Sequence, residues 1–122
     1  MILGIGVDLI NNKDFQERTL ESPLILKKLL GTNPNLPEHR RLEIATSNFA
    51  ALEALFKALP QEFKSKVNLF TVDRDSYGRP FFDISRLEFM ESLSEFHIHL
   101  SISNHYDYTV ALVVIENTAE VN

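Results

Sequence analysis

Between Pro37 and Pro60 the chain contains neither glycine nor proline, and this stretch constrains the fold more than any other. The segment "PEHRRLEIATSNFAALEALFKAL" places Leu42, Ala45, Phe49, Leu52, Phe56 and Leu59 at spacings of three and four, the period of one helical face. With Pro37 in a first-turn position, the pattern predicts one long central helix that ends at Pro60. A helix of that length needs an apolar partner, and the flanking segments supply one. "MILGIGVDLI" is apolar and rich in β-branched residues and reads as a strand over residues 2–9. "HIHLSIS" and "YTVALVVI" read as two closing strands joined through "NHYD".

Further signals fill in the order of elements. Asn11 and Asn12 are N-cap residues for a short helix through "KDFQERTL". Ser22 and Pro23 start a second helix, which Gly31 stops, and "GTNPNLP" is a loop. "VNLFTVDR" and "RPFFDI" flank the turn "DSYG", and "SRLEFMESL" reads as a short amphipathic helix. Helices and strands do not alternate in a strict βαβ rhythm. The expected class is therefore α+β, an antiparallel sheet packed with the long central helix. At 122 residues and 44% hydrophobic content, residues 1–122 are expected to form one domain.

Composition removes several function classes. The chain has no cysteine, so disulfides, thiolate metal sites and thiol nucleophiles are excluded. A net charge of -5 argues against a general nucleic-acid or anionic-membrane binder. The N-terminus lacks a basic region, and no apolar run reaches the ~18 residues of a membrane span, so a cytoplasmic protein is expected.

Two carboxylates and one ammonium carry the candidate chemistry. Glu53 and Lys57 lie one helical turn apart, the spacing of an ordinary ion pair of about 0.3–0.5 kcal/mol. Glu53, however, sits between Phe49 and Phe56 and borders the apolar stripe. Asp8 follows an apolar strand, where a carboxylate needs solvent or a partner. If Asp8 and Glu53 converge, they form an oxygen-only ligand pair suited to Mg2+, with Lys57 aimed at the same phosphates. Nothing local forces residue 8 to meet residue 53.

"GIGVDLI", "FAALEALFKAL", "GRPFF" and "HLSISNHYDYTVALVVIE" occur in the order and spacing of the holo-acyl-carrier-protein synthases, the small phosphopantetheinyl transferases. The chain resembles that family over most of its length. The resemblance covers the family's G-x-D, F-A-x-K-E-A-x-x-K-A and S-x-S-H elements. It implies a 4'-phosphopantetheinyl transferase-like fold, a homotrimer with active sites between protomers, and transfer of 4'-phosphopantetheine from coenzyme A to a serine of an acyl carrier protein. By the same resemblance Asp8 and Glu53 are Mg2+ ligands, and Lys57 stands beside the diphosphate. Glu53 accepts the serine proton, directly or through a metal-bound water. Gly78, Arg79 and Pro80 border coenzyme A, and Ser101 and Ser103 face the cleft.

The chain departs from the family pattern in places. Leu52 and Asn48 stand where the family carries basic residues, and "PQEFKSK" replaces a glycine-rich turn, so Lys64 and Lys66 are candidates to restore positive charge. Asn104 stands at the family's histidine, and His105 is one place later, reaching the site only if the turn begins there. The alternative to an active transferase is a synthase-like protein that has lost its chemistry and binds carrier protein or coenzyme A. A third reading treats Glu53 and Lys57 as a structural pair at an oligomer interface. Lys13, Arg18, Lys27 and Lys28 are candidates for docking the carrier protein, although Asp14, Glu17 and Glu21 are interleaved with them. His39 reads as a solvated helix residue. His97 and His99 share a strand face at a spacing a metal site uses, but the sequence identifies no third ligand, so no metal is assigned to them.

Overall fold

The computed structural model describes residues 1–20, 22–30, 37–87 and 91–118. The elements run β1 (Ile2–Asn11), α1 (Asn12–Leu20), α2 (Pro23–Leu30), α3 (Glu38–Ala58), a 3-10 segment (Gln61–Leu69), β2 (Thr71–Arg74) and β3 (Pro80–Asp83). Two short 3-10 turns, Ser85–Leu87 and Glu91–Glu95, precede β4 (Phe96–His105) and β5 (Tyr108–Asn117). The stop at Gly31, most of the "GTNPNLP" loop and residues 88–90 of the expected short helix lie outside the described residues.

Local chemistry accounts for the helix boundaries. The Asn11 side chain accepts a hydrogen bond from the Asp14 backbone N–H at 3.1 Å and so caps α1. The Ser22 carbonyl accepts from the N–H groups of Ile25 and Leu26 at the start of α2. α3 begins after Pro37, whose carbonyl accepts the Arg41 N–H at 2.9 Å. Pro60 crowds the residue before it, and Leu59 accordingly leaves the helix for φ -65° and ψ 140°.

β1, β5 and β4 form an antiparallel sheet in that order, and β2 and β3 pair as a separate hairpin. The helix α3 lies on one face of the sheet. The core between them is built from Ala50, Ala51, Ala54, Leu55, Val113 and Ile115. Phe70, Phe82 and Leu87 close it from the side of the β2–β3 hairpin.

The buried face of α3 differs from the expected stripe. Alanines make the tight contact with the sheet, whereas Phe49 and Leu52 are only partly buried and Phe56 is exposed. The cause is the sheet's close approach. A Cβ on Gly4 would stand 1.8 Å from the Ala58 carbonyl oxygen, and one on Gly6 would stand 1.9 Å from that of Ala54. Only small residues fit at these two contacts, so Phe49, Leu52 and Phe56 lie off the sheet.

The other face of the sheet is uncovered among the described residues, and it is apolar along β1 and the middle of β5. Ile5, Val7 and Leu9 are 59%, 53% and 65% exposed. The strand register sets them opposite Val114, Leu112 and Val110 on β5. Among the described residues, no helix is long and apolar enough to cross a membrane.

Candidate active site

Successive side chains of a strand alternate between faces, so Gly4 and Gly6 place Asp8 on the α3 side of β1. Asp8 pairs in register with buried Ala111, and its side chain is only 16% exposed. Its partner is Lys57. The ammonium stands 3.2 Å from the Asp8 carboxylate and donates to the Val7 carbonyl at 2.9 Å. A helical side chain leans toward the N-terminus of its helix, which carries Lys57 back along α3 to the strand. The sheet and helix thus bring together residues 49 positions apart.

The ordinary Glu53–Lys57 ion pair does not form, because Lys57 is engaged by β1. Glu53 has no hydrogen-bond or ion-pair partner among the described residues. Its half-buried side chain lines a groove of about 330 Å³, together with Phe49, Leu52 and Phe56 from α3, Lys28 from α2 and Arg86. The groove thus has apolar walls, one unpaired carboxylate and two cations.

A second cavity, about 480 Å³, shares Asn48 with the first and is further lined by Arg40, Ser47, Arg74, Gly78 and Asn104. Asn48 is buried. Its amide donates to the Leu29 carbonyl at 2.9 Å, and its side-chain oxygen accepts from the Arg74 guanidinium at 3.4 Å. Burial, partly offset by Asp73, lowers the proton affinity of Arg74, yet a guanidinium stays cationic at neutral pH. The charge absent from position 48 therefore arrives from β2. Sequence reasoning missed Arg74, since no local pattern links residues 26 apart.

The remaining candidates divide between two places. Gly78, at φ +83°, ends a turn in which the Asp75 side chain accepts from the N–H groups of Tyr77 and Arg79. The Arg79 guanidinium stands 6.0 Å from the Tyr77 ring, and Pro80 opens β3 opposite Arg74. Ser101 and Ser103 lie opposite Leu112 and Val110, on the uncovered face of the sheet and away from Asp8. Asn104 points inward, with its amide 3.5 Å from the Ser47 hydroxyl. The strand continues through His105 and the turn falls at Tyr106 and Asp107, so His105 faces the opposite side from Asn104. Lys64 caps the end of α3: its ammonium donates to the Phe56 carbonyl and stands 4.8 Å from the Phe56 ring centroid.

No family model matches the chain. Curated relatives do. A holo-[acyl-carrier-protein] synthase of Staphylococcus aureus is 31% identical over 127 residues, covering 98% of this chain and 99% of the relative. One from Anoxybacillus flavithermus is 30% identical over 123 residues, covering 95% and 97%. The chain belongs to the holo-[acyl-carrier-protein] synthase family. A solved synthase of this family from Bacillus anthracis, in complex with CoA (3',5'-ADP), superposes with a TM-score of 0.72 at 29% identity, covering 96% of this chain and 98% of that one. The Neisseria meningitidis synthase, at 22% identity, shares the fold with a TM-score of 0.74, covering 96% of this chain and all of that one. The expected α+β fold, an antiparallel sheet on a long central helix, is therefore that of the synthase family.

Proposed function

We propose that this protein transfers 4'-phosphopantetheine from coenzyme A to a serine hydroxyl of an apo acyl carrier protein. The observation that carries the reading is Lys57 joined to Asp8 and, one helical turn before Lys57, a Glu53 that is unpartnered among the described residues and lines a groove with basic and apolar walls. In the reaction, the serine oxygen forms a bond to the β-phosphorus of coenzyme A. The bond from that phosphorus to the bridging oxygen breaks, and adenosine 3',5'-bisphosphate leaves with the electron pair.

Asp8 and Glu53 offer only carboxylate oxygens, with no thiolate or imidazole beside them, and this donor set fits Mg2+. They would hold the ion, which when bound neutralises charge on the diphosphate. The protein's own groups do the rest. The Lys57 ammonium faces the charge that develops on the transferred phosphoryl group. The Glu53 carboxylate is the acceptor for the serine proton, directly or through an intervening water. Lys28, Arg74 and Arg86 supply positive charge for the phosphates of the coenzyme, and Phe49, Leu52 and Phe56 give the groove a wall that excludes water. Gly78, Arg79 and Pro80 border the coenzyme from the β2–β3 turn. The exposed Lys13, Arg18, Lys27 and Lys28 on α1 and α2 are the docking groups for the carrier protein.

A homotrimer completes this arrangement. The uncovered face of the sheet carries Ile5, Val7, Leu9 and Leu112, an apolar area of the kind that marks a protein interface. Ser101 and Ser103 share that face, so a neighbouring protomer is the route by which they reach a cleft containing Asp8 and Glu53.

Mass spectrometry of an apo acyl carrier protein incubated with the protein, coenzyme A and Mg2+ tests the reading. A gain of one phosphopantetheine is expected, and it disappears with Glu53→Gln and without metal. Coenzyme A binding with no gain in mass would instead leave a module that keeps the fold without the chemistry.

A further inference from the structure

His97 and His99 lie on the same side of β4, and the register sets His97 directly opposite Glu116 of β5. Glu116 reaches diagonally to His99, with 2.5 Å between its carboxylate oxygen and the His99 Nε2. The two imidazole rings stand 4.3 Å apart between centroids. One ligand atom from each of the three residues falls within 4.8 Å of the others. Glu116 is thus the third ligand that the sequence did not identify, 17 positions from His99 but adjacent across the hairpin.

We propose that His97, His99 and Glu116 form a binding site for a divalent ion of the zinc class, separate from the Asp8 and Glu53 carboxylates. Two imidazoles with one carboxylate select borderline metals such as Zn2+, Co2+ or Ni2+ over Mg2+, which prefers oxygen donors alone. The three residues share the sheet face of Ser101, Ser103 and Leu112, so water or a side chain of a neighbouring protomer completes the coordination. The ligand atoms must draw together, because two donors of one ion stand no more than about 4.2 Å apart and these lie within 4.8 Å of one another. An ion about 2.0–2.2 Å from each ligand atom replaces the hydrogen bond between His99 and Glu116 and opens their 2.5 Å contact to roughly 3.4 Å. Rotation of exposed side chains accommodates that change.

The site joins β4, the edge strand of the sheet, to its central strand β5. A bound ion cross-links the two and stabilises the folded protein in proportion to its occupancy.

The test is titration of the full-length protein with Zn2+ by calorimetry, and with Co2+ by visible absorption, in excess Mg2+ so that Asp8 and Glu53 are occupied. One ion per chain is expected, with a rise in melting temperature on Zn2+ addition. His97→Ala, His99→Ala and Glu116→Gln should each weaken binding by at least about tenfold and remove the thermal shift. His39→Ala and His105→Ala should change neither, and circular dichroism verifies that every variant is folded. Absence of saturable binding, or binding that survives all three substitutions, overturns the proposal.

Discussion

Lys57 extends its ammonium to the Asp8 carboxylate at 3.2 Å and to the Val7 carbonyl at 2.9 Å, leaving Glu53, one turn before it on the same helix, without an ion-pair partner among the described residues. A surface helical pair is worth a fraction of a kcal/mol and has no chemical consequence. Here the cation instead fixes the strand-borne carboxylate against the helix that carries the second one. Asp8 is thereby tied to the helix that carries Glu53 one turn before Lys57.

Replacement of Lys57 should therefore be felt in chemistry more than in folding. Lys57→Ala is expected to lower kcat by about 100- to 1000-fold, the effect of deleting one preorganised charge-stabilising donor. The ammonium is half exposed, so thermal stability should fall only slightly. Steady-state kinetics with coenzyme A and apo carrier protein measures the effect, and Lys57→Arg should recover part of it. A loss below tenfold would place the phosphates elsewhere.

Gly6 predicts a different failure. Its missing Cβ would sit 1.9 Å from the Ala54 carbonyl oxygen, and neither backbone can yield without separating β1 from α3. Gly6→Ala should cost about 1–3 kcal/mol of stability by overpacking. It should also reduce turnover, because Asp8 lies two residues further along the same face. Urea unfolding of the variant and the parent gives the first quantity. Gly78→Ala provides the contrast: nothing lies within 4 Å of its would-be Cβ, so only its φ of +83° opposes substitution, at about 1 kcal/mol.

How much of this was legible in the sequence depends on the range of the interaction. α3 was legible because no breaker interrupts it, and the α1 start because Asn11 caps it within three residues. The outer strands were legible from β-branched runs, although β1 and β4 each extend two residues beyond the expected ends, to Asn11 and His105. The helical stripe misled, because spacing alone does not say whether alanines or phenylalanines meet the sheet. Glycines 4 and 6 decide in favour of the alanines, and the Phe49–Phe56 side becomes a groove wall. The first three residues of "VNLFTVDR" belong to the 3-10 segment Gln61–Leu69, and only Thr71–Arg74 of it pairs as a strand. Asp8–Lys57, Asn48–Arg74 and His99–Glu116 join residues far apart in the chain, and periodicity carries no information about them.

Arg74 yields a prediction that separates binding from chemistry. Its guanidinium stands 3.4 Å from the Asn48 side-chain oxygen and lines the second cavity, where in the proposed function it would supply charge to the coenzyme. Arg74→Ala should raise KM for coenzyme A about tenfold while kcat changes little, since the residue holds phosphate in ground and transition states alike. Arg74→Lys should restore less than full affinity, because an ammonium lacks the planar fork of the guanidinium. A fall in kcat at unchanged KM would instead place Arg74 against the reacting phosphoryl group.

The uncovered sheet face sets the last test. Leu112 sits at its centre, between Val7 of β1 and Ser101 of β4, and its side chain points away from Asp8 and α3. A charge there leaves the protomer core intact but would introduce three like charges into the proposed trimer interface, where desolvation and repulsion both oppose assembly. Leu112→Lys should reduce the mass measured by light scattering from that of a trimer to that of one chain. Circular dichroism should stay unchanged. Because Ser101 and Ser103 lie on the face opposite Asp8, the isolated protomer should also lose transferase activity despite intact Asp8, Glu53 and Lys57. Full activity in a verified monomer would show that one chain holds the whole site, and the two serines would then have no part in it.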